Sequence, residues 1–154
     1  MKRKSIIWWL IISLVCFALD QLSKIWVRSR FSPGESLDLL GSYLRITHVI
    51  NRHAIFGLPL PMEYIFFPAA VLSMGFILYY LIRHDPLPAL LVIGLGLIAG
   101  GALGNVADRL MYHQVTDFID MGLSARWRWY VYNPADAFLL VGIGLVLIED
   151  FKKK

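Results

Sequence analysis

Leu87-Pro-Ala-Leu-Leu-Val-Ile-Gly-Leu-Gly-Leu-Ile-Ala-Gly-Gly-Ala-Leu-Gly-Asn-Val106 carries no charged side chain, and Ala107-Asp-Arg109 follows at once. A helix needs about 20 mostly apolar residues to cross a hydrocarbon core of about 30 Å. This run meets that need and ends in polar residues. Gly96, Gly100 and Gly104 recur within it, with Gly101 alongside. Small residues four apart form a stripe on which another helix can pack closely. The stripe is no dinucleotide fingerprint, because no strand precedes it and the spacing is wrong.

Three further runs fit the same description, at about residues 5–26, 64–82 and 134–148, the last being short. Asn133 followed by Pro134 predicts the start of the fourth helix: a side-chain acceptor at the N-cap, then proline at the first helical position. In lipid only helices or closed barrels satisfy their backbone groups. The expected fold is therefore an all-α membrane protein of four transmembrane helices, with residues 1–154 forming a single domain. The chain is 58% apolar, which a soluble domain of this size rarely is.

The charges sit where a membrane protein puts them. Met1-Lys-Arg-Lys4 and Phe151-Lys-Lys-Lys154 flank apolar runs. The net charge of +4 forms no basic face with interleaved aromatics, so no nucleic-acid partner is expected. Terminal lysines suit anionic headgroups of membrane lipids. Basic residues are nearly balanced between the two sides, so the charge rule alone does not orient the chain; the dense lysine clusters beside span ends place both termini in the cytoplasm. The first run resembles a secretory signal, but no small-x-small cleavage site follows it, and a retained helix is expected. Cys16, the one cysteine, reads as apolar filler.

Two polar segments remain, at about 28–61 and 108–132. The first contains Leu37-Asp-Leu-Leu40 and Tyr43-Leu-Arg-Ile-Thr-His-Val-Ile50, whose alternation and β-branched residues predict short strands. The second, read as a loop, contains Trp127-Arg-Trp-Tyr-Val-Tyr132, a cluster suited to the boundary between lipid and water.

Antiparallel threading of four spans has a chemical consequence. Asp20 late in the first helix, Asn51 and Arg52 in the loop after it, Asn105, Asp108 and Arg109 at the end of the third, Asp117 beyond it, and Asn133 and Asp136 at the start of the fourth all reach one membrane face. Each has a plain structural alternative. Asp20 can pair with Lys24 at i,i+4, Asp108 with Arg109, and Asp136 can settle in the helix dipole. Two carboxylates in one partly dry site cannot both ionise easily. One then activates water while the other polarises the carbonyl and protonates the leaving amine. Asp117 and Asp136 are the candidates, each arriving from a different element.

Other chemistries fit less well. Lys24 is the only lysine away from the termini, and Ser23 does not face it along a helix. His48, His53 and His113 are scattered with no His-Glu-x-x-His, so no metal is expected. A non-enzymatic carrier or proton conductor remains open as another class.

Taken in order, these residues resemble the lipoprotein signal peptidase family, signal peptidase II. Ala18-Leu-Asp-Gln-Leu-Ser-Lys24, Gly100-Gly-Ala-Leu-Gly-Asn-Val-Ala-Asp-Arg109, Val115-Thr-Asp-Phe-Ile119 and Tyr132-Asn-Pro-Ala-Asp136 are similar to its motifs. The resemblance implies a bacterial cytoplasmic-membrane aspartyl endopeptidase without cofactor or metal, and a monomer is expected. It cuts prolipoproteins just before a diacylglyceryl-modified cysteine at the outer face, the lipid group staying in the bilayer. It makes Asp117 and Asp136 catalytic. It gives Asp20, Asn51, Asn105, Arg109 and Asn133 supporting and substrate-holding roles, and makes the segment after the first helix a small β-structured cradle on the outer face. One departure stands out: Asn51-Arg-His-Ala-Ile-Phe-Gly57 has His53 where the family has glycine. An inactive relative or an antibiotic-binding decoy would carry the same motifs.

Overall fold

The computed structural model describes residues 4–52, 63–84, 86–124 and 126–152. In chain order the elements are α1 (Lys4–Arg30), β1 (Ser36–Leu40), β2 (Leu44–Asn51), α2 (Glu63–His84), α3 (Ala89–Tyr112), β3 (Val115–Met121) and α4 (Pro134–Phe151). Among the described residues three helices are long and apolar enough to cross a membrane: α1, α2 from Phe67, and α3. In α4 the apolar stretch is bracketed by Asp136 at its start and by Glu149 and Asp150 at its end. The helices outrun the sequence expectation: α1 continues past Trp26 to Arg30, and α3 past Val106 to Tyr112.

Polarity is distributed inside out. The buried stripe of α1 runs through Ser5, Trp9, Ser13, Cys16, Asp20, Lys24 and Val27 at helical spacing. Its outward faces carry Ile7, Trp8, Leu14, Val15 and Leu22, all exposed. A soluble monomer rarely exposes apolar surface so continuously. A chain dissolved in lipid gains nothing by hiding it, and its helices are joined instead by close packing and hydrogen bonds. The Ser13 hydroxyl donates to Trp9 O (2.7 Å) and Gly96 O (3.2 Å), and the Trp9 indole donates to Leu95 O (3.2 Å).

Helix α3 is the centre of the bundle, packed most extensively on α4 and α1. Its glycine stripe is used as the spacing predicts. A Cβ on Gly100 would lie 2.6 Å from both Cys16 Cβ and Ser13 O, and one on Gly104 would strike the Asp20 carboxylate. The opposite side meets α4 just as closely: a Cβ on Gly142 would lie 2.7 Å from Gly94 O.

The strands form an antiparallel sheet in the order β1-β2-β3. Gly41, at φ 53°, supplies the left-handed residue in the turn between β1 and β2. A register shift between Ile46 and Val49 marks a bulge opposite β3. It accompanies buried His48, whose Nδ1 lies 2.7 Å from Phe31 O at the end of α1. The first two strands fall where alternation put them. The third corrects the sequence reading, which took 108–132 as a loop. Val115-Thr-Asp-Phe-Ile-Asp-Met121 is a strand buried along most of its length.

Where glycine meets a neighbouring backbone, even one methyl group has nowhere to go. Gly142→Ala is expected to lower stability by about 1–3 kcal/mol, the usual cost of overpacking. Gly144→Ala, with open space around its Cβ, should be neutral or gain the helix propensity of alanine. Thermal unfolding of both variants in detergent checks the contrast, and equal midpoints would refute it.

Candidate active site

The site lies where the C-terminal halves of α1 and α3 meet the start of α4 and strand β3. Its base is a buried charge network. Lys24 is fully buried; its ammonium lies 2.8 Å from Asp20 Oδ2 and 3.5 Å from Asp108 Oδ2, and donates to Asn105 Oδ1 at 3.0 Å. Arg28, one turn further along α1, pairs with Asp108 Oδ1 at 3.2 Å and donates to Thr116 Oγ1 at 3.0 Å. Gln21 donates to Gly104 O and to the carboxylates of Asp20 and Asp108. Two cations thus meet two anions, as burial of charge requires.

Each anion also fastens a second element. Asp20 Oδ1 accepts from Ala135 N at 3.0 Å, capping the first turn of α4 from another helix. Asp108 Oδ2 accepts from Thr116 N at 3.0 Å and fixes the start of β3 beside α3. The local alternative for Asp20, a pair with Lys24, is therefore real, and it is one part of a larger arrangement. Asp108 is drawn to Lys24 and Arg28 of α1.

Asn133 caps α4 as its sequence position predicts. Its Oδ1 accepts from Asp136 N at 3.1 Å, its own N–H donates to Asp136 Oδ2 at 3.3 Å, and Pro134 occupies the first turn. This is a capping box with aspartate in the third position. The Asn133 amide also donates to Asp117 Oδ1 at 2.5 Å and to Asn105 Oδ1 at 3.2 Å. Asn51, at the end of β2, donates to Asp117 Oδ2 at 2.9 Å. Asn105 donates to Asp136 Oδ1 at 2.8 Å. Both carboxylates accordingly face donors on both oxygens, and Asn133 touches the two of them. Arg109 donates to Asn105 O at 3.3 Å, and the charges of Asp136, Asp117 and Asp108 act on its guanidinium.

Burial holds the Asp117 carboxyl well above the usual carboxylate range, to about 6. The Asn51 hydrogen bond pulls it back down, nearby Asp136 raises it, and the Asn133 hydrogen bond and Lys24 lower it. Asp117 is 2% exposed, so desolvation is the physical reason that burial leads.

All seven residues singled out from the sequence, Asp20, Asn51, Asn105, Arg109, Asp117, Asn133 and Asp136, are in or against this hydrogen-bonded net. His53, the departure in the Asn51 block, lies outside the described residues, as do Ile55 and Gly57. The sequence reading missed the role of Lys24, Gln21, Arg28 and Thr116. A signal existed for two of them: Asp20, Lys24 and Arg28 follow one another at i,i+4 along a single helix face.

A membrane helix bundle in which Asn133 bonds both Asp117 and Asp136 has the features expected of an integral membrane hydrolase of the aspartic type. The chain belongs to the signal peptidase II family, whose model, described as signal peptidase (SPase) II, matches residues 12–152. It is therefore an aspartic-type peptidase and a multi-pass membrane protein. It is 36% identical over 150 residues to a lipoprotein signal peptidase of Desulfitobacterium hafniense, covering 95% of this chain and 96% of that one. A lipoprotein signal peptidase of Syntrophomonas wolfei is 43% identical over 135 residues, covering 88% and 87%. A bacterial membrane enzyme solved by the in meso method at 2.3 Å superposes with a TM-score of 0.84 at 26% identity, covering 94% of this chain and 87% of that one. Another, solved at 1.9 Å, gives 0.84 at 25% identity, covering 95% and 94%.

Removing Lys24 leaves the buried Asp20 carboxylate without its cation, while Asp108 keeps only Arg28. Lys24→Ala is expected to cost about 3–5 kcal/mol of stability, against no change for Arg30→Ala at an exposed position of the same helix. Unfolding in detergent reads both, and an unshifted Lys24→Ala midpoint would count against the network. The raised Asp117 carboxyl is neutral below about pH 6 and ionised above it. Peptidase activity against pH should therefore bend near 6, a rising limb marking Asp117 as base and a falling limb marking it as acid. Asn51→Ala removes a bond to the charged form, so the bend should move to higher pH. A profile flat from pH 4.5 to 8 would contradict the expectation.

Proposed function

We propose that the protein removes signal peptides from bacterial prolipoproteins, cutting just before a diacylglyceryl-modified cysteine, with Asp117 and Asp136 as its catalytic pair. The observation that carries this reading is Asn133, which donates to Asp117 through its amide and to Asp136 through its backbone N–H. One residue so placed holds two carboxylates from different elements in register with each other. The names of the relatives supply the substrate class.

The chemistry needs only these groups and water. The ionised carboxylate takes a proton from water as its oxygen bonds to the scissile carbonyl carbon. The protonated partner donates to the carbonyl oxygen. Collapse of the tetrahedral intermediate breaks the C–N bond, and the proton taken from water passes to the departing amine. The pair returns with one proton between two carboxylates, and its apparent pKa values belong to both. Arg109 and Asn51 flank the pair with donors for the substrate backbone. Asp20 and Asn105 hold the frame on which it stands.

In this reading α4 is the fourth span, and the protein works as a monomer in the cytoplasmic membrane. Both termini are cytoplasmic, and the sheet and the carboxylate pair are at the outer face. The flanking lysines of the terminal helices favour that orientation. A carrier or proton conductor is less well supported, since among the described residues the buried ionisable side chains gather at one end of the bundle and do not step across it.

Purified protein in detergent should cleave a diacylglyceryl-modified prolipoprotein, followed as a mass shift on a gel. Asp117→Asn and Asp136→Asn should each lower the rate by about 10²–10⁴-fold or more while unfolding at temperatures close to the wild type. Undiminished cleavage by either folded variant would sink the dyad.

A further inference from the structure

Beside Asp136 runs a trough of about 690 Å³ between α4 and the segment that follows β3. We propose that it receives one acyl chain of the lipid-modified substrate; the proposal rests on the function argued above and adds a subsite to it. The lipid group would then be gripped by the protein and not left wholly to the bilayer.

Three observations converge. The first is the lining. Leu140 and Val141 of α4 form one wall; Met121, Trp127, Trp129 and Tyr132 form the other. Arg128 also lines the trough, but its guanidinium is committed elsewhere: Nε to Asp120 Oδ1 (2.7 Å), Nη2 to Asp120 O (2.9 Å) and Nη1 to Ser42 O (2.7 Å). The Tyr132 hydroxyl is turned to Met121 Sδ at 3.0 Å. Asp136 is left as the reactive polar group on the trough. The size is that of a site for a substantial apolar group.

The second is continuity with the reacting centre. Asp136 and Leu140 are one helical turn apart, about 6 Å along the axis. The acyl groups of a diacylglyceryl thioether begin a few bonds beyond the cysteine at the cut. A chain that starts level with Asp136 and descends along Leu140 therefore has the right origin and direction.

The third is access. Leu140 is 74% exposed on a helix whose neighbours face lipid, and Trp127 and Trp129 are each 76% exposed. Tryptophan is favoured at the lipid–water boundary. The trough is thus open sideways to the bilayer, where an acyl chain already resides, and a polar peptide would have to cross lipid to enter there.

The trough cannot act by hydrophobicity, because lipid tails are as apolar as its walls. What it supplies is orientation: one chain laid along α4 fixes the glyceryl thioether and with it the scissile bond. A misplacement of about 1 Å at a reacting centre can cost on the order of 10²-fold.

The test pairs a blocked trough with substrates of two acyl lengths. Leu140→Trp fills the trough from a lipid-exposed position. It should lower kcat/KM for a prolipoprotein bearing two sixteen-carbon chains by about ten- to hundredfold. It should leave a substrate with two-carbon acyl groups within about twofold of wild type, since that substrate never used the trough. An equal loss on both substrates would overturn the acyl assignment and give the trough to the peptide. Equal activity with both would overturn it as well. A second measurement is independent of that variant: a substrate with a diazirine midway along one acyl chain, photolysed with Asp117→Asn protein. Labels are expected on Leu140, Val141 or Trp129, whereas labels confined to α1 or α2 would refute the proposal. Should wild-type protein cleave neither substrate, the peptidase reading itself fails, an outcome separate from any of these.

Discussion

One buried ammonium holds the rest of the structure in place. Lys24 has three protons to donate and three acceptors around it, and each acceptor controls a different part of the site. Asp20 caps α4 through Ala135 N. Asp108 receives Thr116 N at the start of β3. Asn105 reaches Asp136. Because lysine can only donate, Asn105 must turn its oxygen toward Lys24, and its NH₂ is thereby aimed at Asp136. The same constraint passes on to Asn133. Its amide N–H meets Asn105 Oδ1 and Asp117 Oδ1, so its own oxygen is left for Asp136 N. The orientation of two amides, and hence which oxygen of each carboxylate meets a donor, follows from a cation that touches neither carboxylate.

This arrangement needs helices in very close contact, and the glycines provide it. Gly104 leaves room for the Asp20 carboxylate between α1 and α3, and Gly101 lets the Ala135 backbone of α4 approach α3. A side chain at either position would separate the helices whose polar groups must meet. Helix packing and site geometry are therefore one constraint. The lipid environment strengthens it, since an unpaired polar group there has no water to turn to.

Much of this was legible in the sequence. The helices announced themselves by length and lack of charge, the α4 cap by Asn133 and Pro134, and the close packing by glycines four apart. Strand β3 did not. Period-2 reading depends on polar residues facing out, and in β3 Thr116, Asp117 and Asp120 are as buried as Val115 and Phe118. The strand serves the site on one side and the sheet on the other, so its pattern carries no alternation. Lys24 was hidden for another reason. Its i,i+4 relation to Asp20 explains the residue locally, and nothing along the chain reveals that Asp108 and Asn105 converge on it from α3. The aromatic segment was read as interfacial, and its place as the second wall of a trough depends on the latch from Arg128 to Asp120 and Ser42 O, which joins positions far apart in sequence.

A membrane peptidase that removes signal peptides from prolipoproteins faces opposed demands: it is embedded in hydrocarbon, while its reaction consumes water and moves charge. The fold resolves this by position along the helices. The fixed charges of Asp20, Lys24 and Asp108 are buried between α1 and α3, where they pair with one another. Asp136 and Asp117 lie beside them, on a helix N-terminus and a strand, served by the Asn133 peptide N–H and by side-chain amides. Asp136 has the first turn of α4 beneath it, a place where the helix dipole favours negative charge. Asp117 is held in a buried strand where desolvation disfavours it. Two like groups thus stand in unlike surroundings, one in a helix first turn and one in a buried strand. A more polar bundle would lose its place in the membrane, and a drier site would leave no water to attack. Placing the pair at the ends of the elements meets both demands.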